Sequence, residues 1–91
     1  MDEQRLTDLR HLMKATAQAH HAVYGGPNEG WPRWYAEWMY GQLLDLLDDD
    51  PSVDQLEQWL RQADARYTAE GPEGTWPGHY AQWILEWSQS A

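Results

Sequence analysis

Ninety-one residues carry fifteen acidic and six basic side chains, a formal charge of −9, and no cysteine. A surface of that sign repels phosphate, which argues against nucleic acid and anionic membranes as direct partners and favours a basic protein partner. Without cysteine there can be no disulfide, thiolate metal site or cysteine nucleophile.

A chain of this length is expected to form a single domain over 1–91, and so small a domain must draw its core from few, large side chains. Seven Trp and five Tyr supply them, with no Phe. Each buried ring removes about 150–250 Å² from water, but Trp and Tyr also bring a polar atom that needs a partner or solvent. The N-terminus, Met1-Asp2-Glu3-Gln4-Arg5, is polar and acidic rather than a basic segment leading into an apolar one. No run approaches the roughly 20 apolar residues of a membrane span. The expected location is the cytoplasm.

The elements follow in chain order. Leu6, Leu9, Met13, Thr16, His20 and Val23 step by three and four, which predicts a helix over 3–24. Gly25-Gly26-Pro27 ends it. Pro32 fits the first turn of a second helix, where its missing N–H is not needed. Tyr35, Trp38, Met39, Leu43 and Leu46 mark the face of that helix, with Leu44 and Leu47 widening the stripe, and its expected span is 32–48. An acidic linker over 48–52 follows. Asp50 can cap a third helix with Pro51 at its first position, or Ser52 and Gln55 can form a capping box. Val53, Leu56, Leu60, Ala63 and Tyr67 predict helix over 51–69, and Gly71-Pro72 stops it. Pro77, then Tyr80, Trp83, Ile84 and Trp87, predict a last helix over 77–88. Nothing alternates with period two, so no strands are expected.

The chain repeats itself. Residues 26–38 and 71–83, offset by 45, share seven of thirteen positions: Gly-Pro, Trp-Pro, Tyr-Ala and Trp. Upstream the offset is 43, pairing Met13 with Leu56, Ala22 with Ala65 and Tyr24 with Tyr67. The difference of two is expected in the connecting loop, where insertions cost little. Repeat 1 covers about 3–48 and repeat 2 about 51–88. Each helix–loop–helix copy has an apolar face it cannot bury alone. The predicted fold is therefore all-α, a four-helix bundle of two pseudo-symmetric repeats.

The most specific motif is Trp-Pro-x-x-Tyr-Ala-x-Trp. As a contact surface for a ligand or partner it offers Trp31, Trp34, Tyr35, Trp76, His79 and Tyr80. As scaffold, Trp31 and Trp76 staple the loops while Tyr35, Trp38, Tyr80 and Trp83 fill the core. The repetition itself favours that scaffold role. Trp34, Tyr40, Trp59 and Trp87 exceed what a small bundle is expected to enclose, which suggests a homodimer.

His20-His21 is the candidate metal pair. Adjacent helical side chains point about 100° apart, so one ion would need one of them plus His11, Glu29, His79 or another acid. The repeat places Ala63 and Asp64 opposite them, so the fold does not demand the pair. The acidic run Asp45, Asp48, Asp49, Asp50, Asp54, Glu57 lacks the glycine and closing glutamate of a calcium loop. Ser52, Ser88 and Ser90 have no neighbouring His, and no phosphate-binding glycine loop is present, so no catalytic residue and no cofactor is assigned.

Residues His20, His21, Gly26, Pro27, Trp31, Pro32, Trp34, Tyr35 and Ala36 resemble a pattern in small bacterial proteins with a His-His pair, a Gly/Pro/acidic loop and a Trp-Pro-x-Trp-Tyr-Ala stretch. The likeness covers about a fifth of the chain and implies a bacterial, helical protein. The second copy departs from it by lacking the His pair and by carrying His79 where the first has Trp34. Two functions remain open at this point. The favoured one is a non-enzymatic protein-interaction or adaptor module; the alternative is a small-ligand or metal-binding protein with its site between the repeats near His20 and His21.

Overall fold

In the computed structural model, residues 3–25, 29–47 and 51–90 are described, with side chains through residue 88. The centre of the acidic linker (48–50), with the Asp50 cap and the calcium reading built on it, and the loop residues Gly26, Pro27 and Asn28 lie outside them. Four helices form: α1 (Glu3–Tyr24), α2 (Trp31–Leu44), α3 (Val53–Glu70) and α4 (Trp76–Ser90). Each packs on two others. α1 lies against α2 and α4, and α3 lies against the same two. Exchanging the repeats maps every one of these contacts onto another, as expected of two like units packed face to face. The fold is an all-α four-helix bundle, and no described helix is long and apolar enough to cross a membrane.

The helix ends show why these segments form. α1 and α3 both stop at glycines with positive φ, Gly25 at 74° and Gly71 at 53°. Their N–H groups donate back to the carbonyls of His21 (2.7 Å) and Tyr67 (2.9 Å). α3 starts at Ser52, whose hydroxyl accepts from the Gln55 N–H at 3.0 Å, so the serine and not Pro51 sets the start. α2 has no side-chain cap and starts on the Trp34 N–H to Gly30 carbonyl bond at 3.1 Å.

Four details differ from the sequence reading. α2 ends at Leu44, short of the expected residue 48, because the N–H groups of Leu46 and Leu47 both turn back to the Leu43 carbonyl. That turn drops Leu47 into the core. The offset between copies is not a loop insertion. α3 runs three residues past Tyr67 while its loop (71–75) is one shorter than the first (25–30), a net two. Val23, expected on the core face of α1, is 63% exposed, and the buried stripe is instead Leu9, Leu12, Met13, Thr16 and His20. Trp38, expected to fill the core, is 40% exposed, whereas its counterpart Trp83 and the supposedly surplus Trp59 are buried. The rings that do reach the surface are Tyr24 and Trp38; Trp34, Tyr40 and Trp87 lie half-buried against the core.

The core is one continuous cluster. Leu9, Met13, Met39, Leu43, Leu56, Leu60 and Ile84 are fully enclosed, both helices of each repeat contributing. The one buried hydroxyl on α1, Thr16, is satisfied by donating to the Leu12 carbonyl at 2.7 Å. Outside the core, Arg33 on α2 bonds Glu37 (3.0 Å), Asp54 (2.5 Å) and Glu57 (3.4 Å), tying the first turn of α2 to the start of α3.

Two glycine-to-alanine changes separate backbone conformation from packing, since an added Cβ meets nothing within 4 Å at either position. Gly71→Ala forces alanine into the left-handed region and is expected to cost about 1–2 kcal/mol. Gly41→Ala, inside α2, is expected to stabilise by about 0.5–1 kcal/mol. Thermal melts followed by circular dichroism should move in opposite directions, by roughly 4–8 °C per kcal/mol.

Candidate functional site

The two Trp-Pro motifs meet. Trp31 and Trp76 open α2 and α4, and Tyr35 and Tyr80 sit one turn further along. Trp31 meets Tyr35 edge-on at 5.0 Å between ring centroids, and Trp76 meets Tyr80 likewise at 4.9 Å. Across the repeats Trp31 lies 6.4 Å from Tyr80, and Trp76 lies 6.3 Å from Tyr35. Each tryptophan therefore touches both tyrosines, and the four rings close into one unit. These separations lie in the favourable range for aromatic pairs.

Beside this unit is an open cavity of about 400 Å³. Its walls come from all four helices: Ala17, His20 and His21 on α1, Trp31 and Tyr35 on α2, Asp64 and Tyr67 on α3, Trp76 and Tyr80 on α4. Repeat-related positions come together here. Trp31 and Trp76, Tyr35 and Tyr80, and His21 and Asp64 are equivalent in the two copies, and all six line the cavity. The cavity therefore lies between the copies, at the end where α1 and α3 finish and α2 and α4 begin.

Its polar atoms are few and unequal. The Tyr80 hydroxyl donates to Asp64 Oδ1 at 2.9 Å. Burial, and then this bond to a carboxylate, hold the Tyr80 phenol far above the ordinary tyrosine range; burial raises Tyr35 as well. His20 is buried against Tyr24, Trp34 and Tyr35, with ring centroids 4.8, 5.1 and 5.4 Å away. Its Nε2 is the one buried side-chain polar atom among the described residues with no hydrogen-bond partner. An unsatisfied buried group of this kind costs about 1–3 kcal/mol, so the cavity wall keeps hydrogen-bonding capacity unused. His21 stands exposed at the rim.

Of the residues singled out in the sequence, Trp31, Tyr35, Trp76, Tyr80, His20 and His21 come together here. Trp34 and His79 do not. They occupy the middle of two equivalent outer rows. In the first copy Tyr24, Trp34 and Trp38 follow one another at 6.2 and 6.3 Å. In the second, Tyr67, His79 and Trp83 do so at 5.8 and 5.6 Å. The second row is fastened down. His79 Nε2 donates to the Glu73 carbonyl at 2.6 Å, the Tyr67 hydroxyl donates to the Gly74 carbonyl at 3.1 Å, and Arg66 covers Trp83 at 4.4 Å. Arg66 corresponds to Val23 in the first copy, so no cation covers Trp38 there.

Three wall residues, Ala17, Asp64 and Tyr67, escaped the sequence reading as site members, and for the last two a signal existed. The signal was present in the register of the repeat, since Asp64 aligns with His21 and Tyr67 with Tyr24. No three His, Asp or Glu side chains converge among the described residues in a way that could hold a metal ion. Comparison with protein families, curated proteins and solved structures finds no match to this chain.

The buried phenols give a pH test. Their folded pKa values lie above the unfolded value of 10.0, so the stability they contribute is complete below pH 10 and is lost as pH rises through the folded values. In an alkaline titration followed at the tyrosinate absorbance, Tyr35 and Tyr80 should ionise only as the chain unfolds. In Tyr80→Phe one late-ionising group should disappear.

Proposed function

We propose that this protein is a non-enzymatic binding module that takes a small organic molecule into the cavity between its repeats. One observation carries the reading. Both copies of the Trp-Pro-x-x-Tyr motif converge on a single concave site whose volume of about 400 Å³ falls in the range of roughly 300–1,000 Å³ common to ligand pockets. The mixture also suits binding, with mostly aromatic walls and a few polar groups, Asp64, His20 and His21, to orient an occupant. The Tyr80 hydroxyl does bond the Asp64 carboxylate, but burial keeps that phenol protonated, which supports binding over catalysis. A bacterial, cytoplasmic setting belongs to the same proposal, supported by the sequence resemblance and the absence of cysteine.

A second reading, as an adaptor for a protein partner, is supported by a different surface. Val23, Tyr24 and Trp38 are the large apolar side chains exposed on the described part of the molecule, and Tyr24 and Trp38 belong to the unfastened outer row. Tryptophan and tyrosine make effective anchors in protein interfaces. A second copy of this chain could use the same row.

A fragment panel separates the two. With the indole N–H signals assigned, a cavity ligand should shift those of Trp31 and Trp76 while leaving the buried Trp59 in place. Ala17→Phe, which fills the cavity from the α1 wall, should abolish those shifts and leave the melting temperature within a few degrees. Shifts confined to Trp34 and Trp38, or binding that survives Ala17→Phe, would move the function to the outer row.

A further inference from the structure

From the chemistry of the cavity walls we infer that its occupant is a small organic cation, an alkylammonium group seated among the rings and set against Asp64; this rests on the cavity being the binding site. Five of the nine wall residues are aromatic: Trp31, Tyr35, Tyr67, Trp76 and Tyr80. Aromatic faces carry the negative part of the ring quadrupole, so a cage of them attracts a cation with a dispersed charge and few hydrogen bonds to lose. No Lys or Arg lines the cavity. A positive charge entering it meets no fixed opponent of its own sign there.

Asp64 supplies the countercharge. Its Oδ1 accepts from Tyr80, and that bond fixes the carboxylate at the wall without neutralising it. The arginines on either side along α3 are engaged elsewhere. Arg61 pairs with Glu57 at 2.9 Å, and Arg66 pairs with Glu70 at 2.9 Å while covering Trp83. No basic side chain pairs with Asp64 among the described residues. The register of the repeat makes this acid distinctive, because the equivalent position in the first copy is His21. The two halves thus present similar rings but only one carboxylate, which gives an asymmetric ligand a charged end and a neutral end.

An anion is the competing occupant, since the first turns of α2 and α4 open at this end and helix starts favour negative charge. The loops leading to those turns carry Glu29 and Glu73, and the protein as a whole carries −9. Those charges, with the exposed Asp64 on the cavity wall, set the local potential against an anion.

A matched pair of probes tests the charge alone. Choline and 3,3-dimethylbutan-1-ol have the same shape, with nitrogen replaced by carbon in the second. Titrated into the protein and followed by the Trp31 and Trp76 indole signals, choline should bind at least about ten-fold more tightly than the alcohol. Asp64→Asn, checked for an unchanged melting transition, should weaken choline by about ten-fold and leave the alcohol unaffected. Equal binding of the two probes, or choline binding that ignores Asp64→Asn, overturns the cationic assignment while the cavity reading stands. If neither probe moves the indole signals, the cationic assignment falls. The fragment panel and Ala17→Phe then decide whether the cavity binds anything at all.

Discussion

The structure depends on one interlocked contact, the four rings of Trp31, Tyr35, Trp76 and Tyr80. Each tryptophan reaches the tyrosine of its own helix and the tyrosine of the other copy. The contact therefore joins α2 to α4, two helices whose backbones do not otherwise touch. A domain of 91 residues buries too little surface to rely on small aliphatic side chains alone. Large rings placed where all four helices meet supply area and orientation together, because aromatic pairs prefer particular angles as well as burial.

The same contact explains why the cavity lies where it does. Rings that meet edge-on leave concave space beside them, and here that space is bounded by the ends of α1 and α3. Elsewhere the interior is filled by a continuous cluster of aliphatic side chains with Trp59 and Trp83. Stapling and binding are therefore not rival explanations of the Trp-Pro motif. One face of each ring holds the repeats together, and the remaining surface lines the cavity.

Where the copies differ, the fold does not require the difference. In the second copy the outer row is closed by Arg66, by the His79 bond to Glu73 and by the Tyr67 bond to Gly74. In the first copy Val23 replaces the arginine and Trp34 replaces the histidine, and Trp38 stays open to solvent. The wall of the cavity is unequal in the same way, with the His20-His21 pair on one side and Asp64 on the other. A symmetric scaffold thus carries an asymmetric lining without losing its self-complementary core. Ion pairing plays a peripheral part. Asp54, and then Glu37, favour the charged Arg33, and Arg61 holds the Glu57 carboxyl below its ordinary value, but all of this happens on an exposed surface where screening limits the effect.

The sequence by itself determined four helices, the glycine stops of α1 and α3, two candidate caps for α3 and the likeness of the two motifs. All of these follow from local spacing, backbone conformation and internal repetition, which are properties of neighbouring residues. It also supplied most of the cavity wall, because Trp31, Tyr35, Trp76 and Tyr80 are marked by the repeat and His20-His21 by its breach. Only the tertiary structure decided which way each helix is turned. α2 carries apolar residues around much of its circumference, so its period alone could not say that Trp38 faces outward while Met39 faces inward. Trp59 was buried, and Asp64 and Tyr67 were brought to the cavity, by how α3 settles against α2 and α4. That rotation minimises exposed area summed over several helices at once, and no single segment contains the information to fix it.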